Sequence, residues 1–309
     1  MILTVTLNTA LDITYRVRSL RPQTSHRVSD VVERPGGKGV NVARVLAALG
    51  HDVTITGFAG GATGETLREQ LARTPRLTDA LVPVAGPTRR TIAVVDALSG
   101  DATQLNEPGP QVRPDEWAAF QDTYGELLCS ASTVALCGSL PPGVPVGAYA
   151  SLIRTARAAG VPVLLDTSGE PLRRGVAARP DIVKPNAAEL AELTGSHEPS
   201  RATQDARRRG AHAVVASLGP DGLLAVTPEG RWRATPPSRV PGNPTGAGDS
   251  VVAGLLSGLV EHLPWPARLA RAAALSAATV QAPVAGEFDR VAYETLLRQI
   301  SVTGKDVAA

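Results

Sequence analysis

The sequence predicts an α/β fold: a mostly parallel sheet covered by helices on both faces, with a small second sheet beside it. Apolar runs of strand length alternate with segments whose apolar residues recur at helical spacing. Such alternation is how parallel strands joined by crossover helices read in one dimension. Two stretches, 11–34 and 89–106, break the alternation with period-two patterning. A chain of 309 residues that is 43% hydrophobic has ample length for a large buried core.

Taken in order, residues 2–7 form a buried-looking strand, and after Gly39 the residues Val42, Val45, Leu46 and Leu49 keep helical spacing until Gly50 ends the run. Val53 to Phe58 is a second strand. The alternation returns as helix 114–128 with strand 133–137, helix 146–159 with strand 162–165, a short strand 181–183, and helix 201–209 with strand 213–217. The interrupting stretches read as paired strands, with Gly100-Asp101 as a hairpin turn, and together predict the separate small sheet. The last third turns to helices over 246–260, 265–281 and 290–300, with Gly286 among the breaks. No internal repeat and no long linker divides the chain, so one domain is expected.

Composition excludes several functions. With 31 Lys and Arg against 29 Asp and Glu the net charge is +2, and this balance with ordinary hydrophobicity excludes a mostly disordered chain. Only 3% of residues are aromatic, which removes the stacking platforms and, with the near-neutral charge, the electrostatic footprint of nucleic-acid binding. No apolar run approaches the roughly 18 residues of a membrane span, and the N-terminus lacks a basic leader, so a cytoplasmic location is expected. The thirty glycines and 25 prolines fall at short turns. Cys129 and Cys137 have neither C-x-x-C spacing nor a histidine cluster and are expected to be buried thiols.

Two glycine turns carry chemistry. Asn243-Pro244-Thr245-Gly246-Ala247-Gly248-Asp249-Ser250 feeds an apolar helix. Unpaired N–H groups in a helix's first turn, with no Cβ at Gly246 and Gly248, can hold an anion such as a phosphoryl group. Asp249 in that turn can take a proton from an attacking hydroxyl, or it can simply favour the helix dipole; spacing leaves both open. Pro35-Gly36-Gly37-Lys38-Gly39-Val40-Asn41 opens another helix. It is not a Walker A loop, because Gly39 stands where that motif needs Ser or Thr. It is either a plain helix-opening turn or a close backbone approach to a polyhydroxylated ligand, with Lys38 and Asn41 as donors.

Several motifs in one order then resemble the PfkB (ribokinase-like) carbohydrate kinases, in the hexose-phosphate branch that contains 1-phosphofructokinase and tagatose-6-phosphate kinase. They are the opening strand through Asn8, the turn at 36–41, Gly57-Phe58-Ala59-Gly60-Gly61, Thr88-Arg89, Asn106-Glu107-Pro108-Gly109-Pro110, Gly138-Ser139-Leu140-Pro141-Pro142-Gly143, Val183-Lys184-Pro185-Asn186 with Glu189, Ser217-Leu218-Gly219, and 243–249. The resemblance spans almost the whole chain. It implies a ribokinase-like three-layer α/β/α sandwich whose β-sheet lid is formed by about 11–34 and 89–106, a lid that in such kinases often makes a dimer contact.

The resemblance also implies ATP and Mg²⁺ as cofactors. It gives Asp249 as catalytic base, with the N–H groups of Gly246, Ala247 and Gly248 as an anion hole for the transferred phosphoryl group. Asn186 and Glu189 match the family's N-x-x-E motif, which helps hold magnesium and nucleotide phosphates, commonly through water. Lys184, Ser217, Gly219 and Gly222 match nucleotide-side positions, and Thr279 falls near the adenine rim. On the sugar side Asp12 matches the acid that binds hydroxyls, Gly37, Lys38 and Asn41 match the glycine-turn contacts, and Arg89 matches a substrate-phosphate ligand, followed by Arg27 and Ser139. Two residues depart from the family: Thr9 replaces a proline before the sugar-binding acid, and Thr91 stands where relatives often carry Asn.

The implied reaction is phosphorylation of fructose 1-phosphate to fructose 1,6-bisphosphate, with tagatose 6-phosphate or fructose 6-phosphate as the alternative substrate. A sugar-phosphate sensor without turnover is the remote alternative. A Rossmann dehydrogenase is disfavoured, since no G-x-G-x-x-G follows the first strand.

Overall fold

A computed structural model describes residues 1–282 and 284–306. The chain begins β1 (Ile2–Thr6), β2 (Ala10–Val17), β3 (Asp30–Gly36), α1 (Lys38–Ala48), β4 (Val53–Ala59), α2 (Gly61–Ala72), β5 (Leu77–Pro83), β6 (Arg89–Asp96) and β7 (Ala102–Asn106). It continues α3 (Pro114–Leu128), β8 (Thr133–Cys137), α4 (Ala148–Ala158), β9 (Val163–Asp166), α5 (Gly169–Ala177), β10 (Ile182–Val183), α6 (Ala187–Thr194), α7 (Pro199–Arg208) and β11 (Ala213–Ser217). The last part holds β12 (Leu223–Val226), β13 (Gly230–Thr235), α8 (Ala247–Val260), α9 (Trp265–Val280), α10 (Arg290–Gln299) and β14 (Ser301–Asp306).

The main sheet has the order β14-β13-β12-β11-β10-β9-β8-β1-β4-β5. It is parallel from β11 to β5 and antiparallel from β11 to β14. Strand alternation sends side chains to two cores. On β8, Val134 and Leu136 join a cluster with Phe120 of α3, Tyr149 of α4 and Leu172 of α5, whereas Ala135 and Cys137 join Leu46 of α1, Leu67 of α2 and Leu255 of α8. Three layers result, and the strands between them are apolar on both faces, which is why they read as continuous runs.

The small sheet, order β3-β2-β6-β7, confirms the separate sheet expected from 11–34 and 89–106. Asp12 pairs with Arg34 on one side and Thr91 on the other. The hairpin between β6 and β7 turns at Gly100, whose φ of +79° suits a residue without Cβ.

Three expectations need correction. Cys137 is buried, but Cys129 is exposed, because it caps the solvent end of α3 instead of entering β8. The pattern also hid α2, whose apolar residues keep only weak helical spacing, and β5 and α5, which are short and of mixed polarity. Beyond β11 the chain adds β12, β13 and the terminal β14 as antiparallel strands; alternating patterns such as Gly230–Thr235 bury only every second residue and were absent from the predicted set. No described helix is long and apolar enough to cross a membrane.

Candidate active site

Parallel α/β sheets bind ligands beyond the carboxyl ends of their strands. Here that end opens into a cleft of about 1100 Å³, with the small sheet as its other wall. Asp12, Lys38, Asn41, Arg89, Lys184, Asn186, Ser217 and the 246–249 turn all line it. Residues from both ends of the chain thus share one space, as the motif order implied.

The chemical end is the start of α8. Gly246 caps the helix at φ +82°, a left-handed conformation in which a Cβ would also lie 2.8 Å from that of Ala285. The Ala247 N–H donates to the Pro244 carbonyl at 3.1 Å, whereas among the described residues the Gly246 and Gly248 N–H groups have no acceptor. Asp249 is buried, and its Oδ2 accepts a hydrogen bond from Asn41 Nδ2 at 2.9 Å. Burial, then the neighbouring Asp166 charge, pushes its pKa up to about 7, against the opposing pull of Asn41, Lys38 and Lys184. A carboxylate with that pKa is poised to exchange a proton at neutral pH.

Asp166, the last residue of β9, was not singled out from the sequence. Its Oδ1 lies 3.2 Å from Lys38 Nζ and 3.4 Å from Lys184 Nζ, while its buried Oδ2 has no partner. An acid ending a parallel strand was the available signal. Burial works against the Lys38 ammonium, but the Asp166, Glu189 and Asp249 carboxylates more than offset it and hold its pKa above the ordinary value.

Asn186 and Glu189 form a capping box at α6: Asn186 Oδ1 accepts from the Glu189 N–H at 2.9 Å, and Glu189 Oε2 accepts from the Asn186 N–H at 2.8 Å. The local and the implied roles therefore coexist. The orphaned Asp166 Oδ2 and the remaining oxygen of Glu189 are hard donors that suit Mg²⁺ held partly through water. No cluster of three or more His, Cys, Asp or Glu side chains occurs among the described residues, so most coordination would come from water and phosphate.

On the small-sheet side, Asp12 lies over Gly36, where a Cβ would sit 2.1 Å from the Asp12 Cγ. Burial raises the Asp12 pKa to about 6, opposed by Thr91, Arg89 and Arg44. Arg89 is steered by the Asn8 carbonyl at 3.4 Å and the Glu107 carbonyl at 3.3 Å, and burial lowers its pKa. Thr9 donates its hydroxyl to the Phe58 carbonyl and so ties the turn before β2 to β4. Thr91 lines the cleft beside Asp12.

Some predicted residues lie elsewhere. Arg27 is exposed on the 18–29 loop and does not reach the cleft wall. The Ser139 hydroxyl accepts from Asn8 Nδ2 at 3.1 Å, outside that wall. Thr279 is buried against Ser250, at 2.6 Å between hydroxyls, and does not form a rim. Gly219 and Gly222 line the cleft as expected. Sequence reading also missed Glu287, which pairs with both Arg34 of β3 and Arg44 of α1, while Arg44 donates to the Ala285 carbonyl at 3.2 Å. The small sheet is thereby tied to the loop that packs on Gly246.

A buried carboxylate of raised pKa beside unpaired helix amides and a pair of lysines suits transfer of a phosphoryl group to an alcohol, and the class of protein is a carbohydrate kinase. The chain belongs to the pfkB family of carbohydrate kinases, whose pattern matches residues 4–290. Among solved structures it is similar to phosphofructokinase-2 from Escherichia coli in complex with fructose-6-phosphate, at 31% identity and TM-score 0.89 over 96% of this chain and 98% of that one. It is likewise similar to a protein from Thermotoga maritima described as a possible 1-phosphofructokinase, at 28% identity and TM-score 0.88 over the whole of both chains.

Proposed function

We propose that the protein transfers the γ-phosphoryl group of Mg-ATP to a primary hydroxyl of a ketohexose phosphate, with fructose 1-phosphate as substrate and fructose 1,6-bisphosphate as product. The observation that carries this reading is the convergence of Lys38 and Arg89 with Asp12 and Asp249 in one cleft. Two cations suit an anionic substrate, Asp12 suits vicinal hydroxyls, and Asp249 suits the hydroxyl that reacts.

Asp249 accepts the proton as the hydroxyl oxygen bonds to phosphorus and the bond to the ADP oxygen breaks. The unpaired Gly246 and Gly248 N–H groups face the charge on the transferred group, and the Ala247 N–H joins them only by giving up the Pro244 carbonyl. Mg²⁺, held through Asp166 and Glu189, would neutralise phosphate charge. Lys184, Asn186, Ser217, Gly219 and Gly222 form the nucleotide side, and the small sheet serves as a lid within one kinase unit.

Fructose 6-phosphate is the second reading, favoured by the similarity to a phosphofructokinase-2 crystallised with that sugar. A coupled assay of ADP release, comparing kcat/KM for fructose 1-phosphate, fructose 6-phosphate, tagatose 6-phosphate and the free sugars, decides among them. Turnover of free sugars alone would overturn the anion assignment of Lys38 and Arg89. We also propose a homodimer through the lid, in the cytoplasm: Val31 and Leu105 are 48% and 56% exposed on its strands. Sedimentation showing a monomer at micromolar concentration would refute the dimer.

A further inference from the structure

A second cavity, of about 550 Å³, opens at the amino ends of the main-sheet strands, opposite the cleft. Arg157 near the end of α4, Arg179 and Asp181 between α5 and β10, and Arg207, Arg208 and His212 around the turn from α7 to β11 wall it. Its only acid is already engaged, since Asp181 Oδ2 accepts from the Val163 N–H at 2.8 Å. Arg157 Nη1 donates to the Ala178 carbonyl at 3.3 Å and Arg207 Nε to the His212 carbonyl at 3.0 Å, so backbone orients both without neutralising them. Arg208 pairs with Asp205, but among the described residues Arg157, Arg179 and Arg207 have no carboxylate partner.

The wall holds four guanidinium groups against one carboxylate, and such an excess of one sign around a concave surface focuses the field and concentrates counter-ions. Guanidinium forks match phosphate oxygens in geometry as well as charge. The volume lies within the range of small-ligand pockets. Gly210 and Ala211 complete the wall, which holds no Phe, Tyr, Trp or long apolar side chain to form an apolar slot for a nucleobase; its one ring is the small imidazole of His212. The chemistry therefore selects a compact phosphate-bearing anion over a nucleotide.

We propose that this arginine-lined cavity is a second anion site, separate from the cleft, which binds a small phosphate, either the free ion or its ester with a short polyol. Its position connects it to the cleft. Asp181 lines the cavity and Lys184 lines the cleft, with only the two residues of β10 between them, a rise of roughly 10 Å. Strand β11 likewise runs from His212 to Ser217.

The test is calorimetric titration of the full chain with inorganic phosphate and with glycerol 3-phosphate. Saturable binding is expected, weakened about tenfold or more in R157Q/R179Q and unchanged in Arg89→Gln, whose defect lies in the cleft. Tighter binding of one probe identifies the free ion or the ester as the occupant. Retained Mg-ATP-dependent turnover shows that the double variant is folded; should it fail to fold, Arg208→Glu, which puts an acid into the cavity wall, is expected to weaken binding similarly. No saturable binding, binding undiminished in the folded variants, or binding lost in Arg89→Gln would overturn the proposal. Each result is independent of which sugar the cleft accepts.

Discussion

The two walls of the cleft differ in how deeply they are anchored. On the α8 wall, the residues from Asp249 to Gly258 are all buried, and β1, β4, β8 and β9 are buried throughout. On the small-sheet wall, β6 has no buried residue and every residue of β7 is exposed. The groups proposed for proton transfer thus sit on an element fixed by packing. Asp12 and Arg89, proposed to recognise the sugar, sit on a thin sheet in which only β2 buries a row of apolar side chains, Leu11, Ile13 and Val17. The difference separates two demands: reacting groups tolerate little displacement, while substrate choice depends on contacts that a small sheet can present and withdraw.

The largest effect is expected where the packed wall meets the chemistry. Asp249→Asn should lower kcat by about 10² to 10⁴ with ATP affinity retained, the range for loss of a general base. The same change should raise thermal stability above pH 7. The folded pKa of about 7 exceeds the ordinary 3.8, so ionising Asp249 opposes folding, and stability declines as pH rises between those values. Melting temperature against pH for the two proteins checks this, and a parallel decline in both would remove Asp249 as its source.

On the small sheet, Arg89→Ala should reduce kcat/KM for the sugar phosphate by about 10- to 150-fold, corresponding to roughly 1.5 to 3 kcal/mol, with ATP binding unaffected. Equal losses for sugar and nucleotide would erase the division between the walls. The pH profile should show both at once: kcat/KM falls below about 7 as Asp249 takes up a proton, and more steeply below about 6 as Asp12 does. At pH 6 the first group alone costs about tenfold. Asp12→Asn should leave only the upper limb, read from initial rates across pH 5 to 9 with folding verified at each end.

Smallest is the tie between the walls. Glu287→Gln should change kcat/KM only about two- to fivefold, because the pairs with Arg34 and Arg44 are partly exposed and such pairs contribute about 1 kcal/mol or less. Its mark is salt dependence: added salt should lower the rate of the parent protein towards that of the variant, as steady-state rates at two ionic strengths would show.

The α8 wall was the more legible in sequence. Its strands read as apolar runs, and the Gly246-Ala247-Gly248-Asp249 turn is contiguous and chemically distinctive, as is Asn186 with Glu189. Asp166 escaped notice because a single acid after an apolar strand is common, and only folding brings Lys38 and Lys184 to it. The small sheet followed from period-two patterning, but the place of Glu287 did not, since its partners Arg34 and Arg44 lie 253 and 243 positions away in sequence. Arg27 and Thr279 show the converse: motif position placed them near ligands, and local structure turns one to solvent and the other into the core.

The contact between Gly36 and Asp12 bears on how such a protein can change. With a Cβ at position 36 only 2.1 Å from the Asp12 Cγ, no other residue fits while the acid keeps its pose. The constraint runs one way: position 36 must stay glycine as long as Asp12 does, while a shorter side chain at position 12 would release it. New sugar preferences would arise more readily by single changes at freer neighbours such as Thr91, which makes the strand beside Asp12 the easier route for divergence.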